Sequence, residues 1–134
     1  MEAARPVRLP GLDGEMLRSW VKSLHTVEEL DAVWRVCAEP GPPGVRGQAI
    51  AEYVSPELTG KPALTALGVV SRRMNTAARE LWARQIPFVI DEVKRTRTVD
   101  RSVAAILLDA LAGHPLWLRL RHHSNPPVLG SSRS

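Results

Sequence analysis

The sequence predicts a mainly α domain with a small β-hairpin, an α+β fold, on three observations. Apolar residues recur at three- and four-residue steps through several segments, the longest running from Pro62 to Trp82. The period then changes: Pro87-Phe88-Val89-Ile90-Asp91-Glu92-Val93 and the return Thr96-Arg97-Thr98-Val99 are β-prone and flank a basic tip, Lys94-Arg95-Thr96-Arg97. Finally, a chain of 134 residues with 44% hydrophobic and 24% charged residues has the proportions of one domain that buries a core.

The elements follow in order. Residues 1–12 hold Pro6, Pro10 and Gly11 without apolar period and read as a flexible lead-in to a domain over residues 13–123. Met16, Leu17, Trp20, Val21 and Leu24 share one face of a first helix from Gly14 to Leu24. Thr26, with Glu29 three residues on, offers a capping box for a second helix, and Val27, Leu30, Val33, Trp34 and Cys37 continue as its apolar stripe to about Ala38. The run Glu39 to Gly44 (EPGPPG) holds neither helix nor strand interior, because its prolines lack backbone donors, and it makes a loop. Val45-Arg46 can form a short strand, and Gln48 to Val54 a short helix with Ile50, Ala51 and Val54 inward.

Ser55 to Lys61 is the turn into the long helix. Pro62 suits its first turn, with Thr59 or Gly60 as cap, and Leu64, Leu67, Val70, Met74, Ala78 and Leu81 face inward while Trp82 closes the far end. After the hairpin, Asp100 or Ser102 caps a further helix with Val103, Ile106, Leu107 and Leu111 buried and Gly113 as the stop. His114 to His123 alternates Leu116, Leu118 and Leu120 with Trp117, Arg119 and Arg121, the pattern of an edge strand, with a helical turn as the alternative. Residues 124–134 have the composition of a disordered tail.

This order, a short helix, a turn, a long helix and a basic hairpin, is that of a winged helix-turn-helix with an extra N-terminal helix. Its chemistry lies on two surfaces. The outer face of the long helix carries Lys61, Thr65, Arg72, Arg73, Asn75, Thr76 and Arg79, and the hairpin carries Lys94, Arg95 and Arg97. Guanidinium forks suit phosphates and guanine edges, a carboxamide can read adenine, and a short hydroxyl permits close approach. A charged outer face is also what any surface helix has, and exposed turns are often basic for solubility alone. The asymmetry distinguishes this face: from Lys61 to Arg79 there is no Asp or Glu, whereas solvated faces usually mix signs four residues apart.

A net charge of +4 suits a polyanionic partner without requiring one. Of the 18 basic residues only Lys22, Lys61 and Lys94 are lysine; together with abundant Ala, Pro and Val, this fits coding in a GC-rich genome, although Arg is also the better phosphate fork. The run from Gln48 to Leu108, with QAIAEYV, PALTALGVVSRRMNTAAREL, WARQIPFVIDE and RTVDRSVAAILLDAL, resembles small winged-helix domains of uncharacterised actinobacterial proteins. The resemblance covers a little under half the chain and rests on structural positions. It implies the winged-helix fold and, by analogy, DNA binding, with no particular target; Trp82 here stands several residues before Pro87-Phe88 instead of abutting them.

Other classes have little support. The single cysteine, Cys37, sits among helical apolar positions and reads as a buried reduced thiol. His25, His114, His122 and His123 lack metal-ligand spacing, Gly41, Gly44 and Gly47 do not form a phosphate-cradling loop, and neither an enzyme nor a cofactor is expected. With no apolar run of about eighteen residues and no apolar leader, neither a membrane span nor secretion is expected, and the chain is placed in the cytoplasm. The expected function is binding of double-stranded DNA in transcription regulation or as an accessory factor. The alternative is a protein-interaction module that docks an acidic partner or dimerises, motivated by the modest net charge together with Trp20 and Trp117 as candidates for positions outside the core. A homodimer through Glu15 to Leu24 and the segment around Trp117 suits either reading.

Overall fold

The structure, a computed structural model, describes residues 14–82 and 87–124, so the lead-in and residues 125–134 of the tail lie outside it. The first helix, α1 (Gly14–Ser23), buries Leu17, Trp20 and Val21, the face its periodicity predicts. Helix α2 (Val27–Cys37) begins at the expected capping box: the Glu29 backbone N–H donates to Thr26 Oγ1, while Glu29 Oε1 accepts from the Thr26 N–H at 3.1 Å and from its hydroxyl at 2.7 Å. Glu29 is only 2% exposed, and the His25 N–H also donates to Oε1 at 3.2 Å. A buried carboxylate is tolerated there because the helix start supplies its donors.

The proline-rich loop delivers β1 (Val45–Arg46), which leads into α3 (Gly47–Val54) and α4 (Gly60–Trp82). A side-chain clamp sets the angle between these two helices. Gln48 Nε2 donates to Glu52 Oε2 at 2.6 Å and to the Gly60 carbonyl at 3.1 Å, and the Gly60 N–H donates to Glu52 Oε2 at 3.2 Å. The first donor of α4, expected to be met by Thr59 or Gly60, is thus met by a carboxylate of the preceding helix, which also suits the positive end of the helix dipole.

The buried line of α4 is Ala63, Leu67, Val70, Met74 and Ala78. Leu64 and Leu81, expected inward, are 38% and 37% exposed. Leu64 follows Ala63 and so stands about 100° away from the buried line; Leu81, in the last turn of α4, follows Ala78 by three residues.

The strands β2 (Val89–Asp91) and β3 (Thr96–Thr98) form the expected hairpin, and β1 joins it to give a three-stranded antiparallel sheet in the order β1-β3-β2. The register pairs Val45 and Ile90 with Arg97, and Arg46 and Asp91 with Thr96. Helix α5 (Arg101–Ala112) is capped by Asp100, whose carboxylate accepts from the Ser102 N–H and hydroxyl and is held below the usual carboxylate range by that hydroxyl. Ala104, Leu107 and Leu111 are its buried residues, with Val103 and Ile106 at the margin.

Helix α6 (Pro115–Ser124) replaces the edge strand that the leucine alternation suggested. His114 explains the helical outcome. Its Nδ1 accepts the Leu116 N–H at 3.2 Å, capping the new helix, while Nε2 reaches the Leu24 carbonyl at 2.8 Å. Trp117 is then 8% exposed, packed into the core, and Trp20 is fully buried with Nε1 donating to the Met74 carbonyl at 3.1 Å and its ring edge-on to Phe88. Neither tryptophan is the surface anchor that the protein-docking reading required.

At Gly44, with φ +92, a β-carbon would stand 2.3 Å from Thr98 Oγ1 and 2.9 Å from the Arg97 carbonyl, so backbone conformation and the close approach of β1 to β3 both demand glycine. Gly44→Ala is expected to destabilise the protein by about 2 kcal/mol or more, measured by urea unfolding.

Candidate functional site

The outward face of α4 is the buried line moved by two residues. Ala63, Leu67, Val70, Met74 and Ala78 face the core, and Lys61, Thr65, Gly68, Arg72 and Thr76 each precede one of them by two positions. Two residues are about 200° around a helix, so this second line points almost directly away from the core. Arg79 extends it by another turn, and Lys61 to Arg79 covers about 27 Å at 1.5 Å per residue. Lys61, Thr65, Arg72, Thr76 and Arg79 are all exposed. Arg73 is exposed toward one side of this line, while Asn75, on the other side, is half-buried and already bonded within the protein.

The cations on this face are uncompensated. The ion pairs of Arg18 with Asp109 and of Arg35 with Glu39 do not involve α4. Thr76 Oγ1 donates to the Arg72 carbonyl at 2.9 Å, so its hydroxyl is already satisfied by the helix backbone. Arg72, Arg73 and Thr76 also line an open groove of about 500 Å³ against Ser23, His25 and Glu29, with Glu80 at its edge. The groove mixes signs, so the cationic character belongs to the outward line more than to the groove.

Gly68 interrupts the outward line, and a β-carbon there would meet nothing within 4 Å. No packing requirement therefore explains it, and glycine inside a helix costs stability.

The hairpin tip differs from the sequence expectation. Asp91 Oδ1 accepts the N–H groups of Val93 and Lys94, each at 3.0 Å, and Arg95 takes the left-handed conformation at φ 58. An aspartate and an arginine thus do the work usually given to Asn-Gly. The Gly47 N–H donates to the Arg95 carbonyl at 2.9 Å, tying the tip to the start of α3. Lys94 and Arg95 are exposed at the tip beside Glu92 and the 92%-exposed Val93.

Arg97, expected at the tip, lies in the centre of β3, half-buried, and its Nη1 donates to Ser71 Oγ of α4 at 3.0 Å. The structure thus joins one basic residue of the hairpin to the long helix and leaves the other two on the turn. Sequence reading missed Ser71 because a lone helical serine carries no signal of its partner. Arg46, a strand residue by sequence, is exposed and paired with Thr96 next to the turn.

The remaining candidates for chemistry are structural. Both ring nitrogens of His114 are engaged by backbone groups, and no group of three or more His, Cys, Asp or Glu side chains among the described residues could hold a metal ion. Cys37 is buried, and desolvation pushes its thiol from an ordinary 9.0 to about 12. No helix among the described residues is long and apolar enough to cross a membrane. Comparison with known proteins finds no family model, curated relative or solved structure that matches this chain.

Gly68→Ala is expected to raise unfolding stability by about 0.5–1 kcal/mol, read in urea, because the new methyl group clashes with nothing and restricts the unfolded chain. The Cys37 thiol should not react with a thiol reagent at about pH 7.5 until the protein unfolds. Because its folded pKa is raised, the associated stability is complete below pH 9.0 and is lost as pH climbs from 9.0 toward about 12.

Proposed function

We propose that the chain is a winged helix-turn-helix protein that binds double-stranded DNA, acting in the cytoplasm as a transcriptional regulator or accessory DNA-binding factor. In this reading α3 and α4 are the helix-turn-helix pair and the β2–β3 hairpin is the wing. The order helix, strand, helix, helix, hairpin, with the first strand pairing to the return strand of the hairpin, supports it. The observation that carries the reading is the outward line of α4, where Lys61, Arg72 and Arg79 stand opposite the core without acidic partners.

Exposed Arg and Lys on one helix face without acidic partners would gain most from a surface that is uniformly negative. Phosphates are such a surface, and the small residues Thr65, Gly68 and Thr76 between the cations leave room for base edges. Lys94 and Arg95 would then meet the adjacent backbone, with Arg73 at the groove edge and Asn75 supporting the helix face from inside.

The protein-interaction reading has lost its tryptophans but keeps one support. Val89 and Ile90 on the edge strand β2 are 54% and 48% exposed on opposite faces of the strand, and Val93 stands exposed at the basic tip, so the edge presents apolar side chains to solvent. A homodimer or an acidic partner would use that edge instead of α1 or Trp117.

Fluorescence anisotropy with random duplex DNA across a salt series tests the proposal. Binding should weaken with salt at about 0.9 log units per contacted phosphate per log of salt, and the triple variant Arg72→Ala, Arg73→Ala, Arg79→Ala should flatten that slope by about two to three. Absence of duplex binding at low salt, with a protein partner retained after nuclease treatment, would decide for the interaction module.

A further inference from the structure

Arg97 occupies a position that alternation reserves for a core-facing residue. Across the sheet its register neighbours are Val45 on β1, 3% exposed, and Ile90 on β2, 48% exposed. The row therefore passes from core to solvent, with a guanidinium in the middle where an aliphatic side chain would satisfy both sides. Burial lowers the pKa of this group from its ordinary value, yet an arginine stays charged at neutral pH.

Its partnering is incomplete. A guanidinium has five N–H donors, and the Ser71 hydroxyl accepts from one of them at 3.0 Å; no carboxylate among the described residues lies within ion-pair distance. A half-buried cation with a neutral hydroxyl as acceptor stands in an electrostatic deficit that an anion would relieve. Ser71 follows Gly68 by one turn, and the space over Gly68 is open. The backbone of α4 can thus be approached closely one turn from the hydroxyl that holds the guanidinium. Hydroxyl, helix and strand fix the direction of the fork, which surface arginines such as Arg72 do not share.

We propose that Arg97, oriented by Ser71, seats a single phosphodiester oxygen of a DNA strand in the crease between α4 and the β2–β3 hairpin. This rests on the DNA-binding reading and adds to it a fixed point of registration: the helix and the wing are locked to the same phosphate instead of contacting the duplex independently. Arg97 is the anion-binding group, and Ser71 is a positioning residue.

The test measures duplex binding over a salt series, together with melting of the DNA-free protein, for Arg97→Met, Arg97→Lys and Ser71→Ala beside the Arg72/Arg73/Arg79 triple variant. Arg97→Met should flatten the salt slope by about 0.9 and weaken binding about tenfold or more with little change in the melting temperature, since loss of the Ser71 bond is offset by removal of a half-buried cation that lacks an anionic partner. Arg97→Lys should keep the slope but bind more weakly, because an ammonium cannot reproduce the fork. Ser71→Ala should keep the slope and lose part of the affinity.

An unchanged slope in Arg97→Met, with the triple variant flattened, overturns the seat and leaves the DNA reading intact. No salt-dependent binding by the unaltered protein overturns both. If Arg97→Met fails to fold, the other two variants decide, and wild-type affinity in both overturns the seat. A rise in melting temperature in inorganic phosphate that Arg97→Met abolishes, without any change in salt slope, moves the site to a free anion and overturns the backbone assignment.

Discussion

The grip on α4 along a single line of side chains is the constraint on which the rest of the structure depends. Ala63, Leu67, Val70, Met74 and Ala78 give the helix one rotational setting, and α1, α2 and α3 all pack against it. Two of those positions, at the ends, are alanines, whose small side chains permit close approach, while bulk is supplied from outside by residues such as Trp20. The indole bond to the Met74 carbonyl adds a directional contact to a line that is otherwise held by shape alone. Rotate α4 by one residue and about 100° of its surface changes place, so the same contacts that bury the core also decide which side chains face away from it.

Two polar clusters translate that setting into the placement of the other elements. The Gln48–Glu52–Gly60 clamp fixes α3 against the start of α4, where a carboxylate meets an orphan backbone donor. The Thr26–Glu29 box does the same for α2, with its carboxylate buried against Thr26 and His25. In both cases a charged group inside the protein is matched to N–H groups that a helix terminus leaves unpaired, which makes its burial tolerable. The sheet is attached more lightly. Its strands are two or three residues long, and its contacts to the helices include the Arg97–Ser71 bond and the Gly47–Arg95 bond, both formed by groups of the hairpin that carry positive side chains. Structural attachment and candidate function therefore share residues in the hairpin, whereas on α4 they are separated onto opposite faces.

Much of this was legible in the residues. The capping box, the proline-rich loop, the long helix with an acid-free outer face and the hairpin after Pro87 were each specified by local chemistry: a hydroxyl three residues before a glutamate, missing backbone donors, a 3.6-residue period and a change to β-branched composition. The differences fell where packing against distant residues decided between local alternatives. Ala63 took the buried site at which Leu64 was expected, since the larger side chain fits the margin and the smaller one fits the contact. Leucine alternation after His114 suggested a strand, but the His114 imidazole capping Leu116 and the packing of Trp117 made a helix. Composition cannot tell which large apolar groups the core has room for, and Trp20 and Trp117 both lie inside it.

Local sequence by itself determined the identity and order of most elements, because helix starts, breakers and periodicity act over a few residues. The tertiary structure alone decided the phase of α4, the burial of the tryptophans and the position of Arg97. Those depend on groups far apart in the chain: Ser71 meets Arg97 across 26 residues, Trp20 meets Met74 across 54 and His114 meets Leu24 across 90. A hydroxyl, an indole or an imidazole in the sequence declares what it can bond to, and only the folded chain determines which acceptor comes within reach.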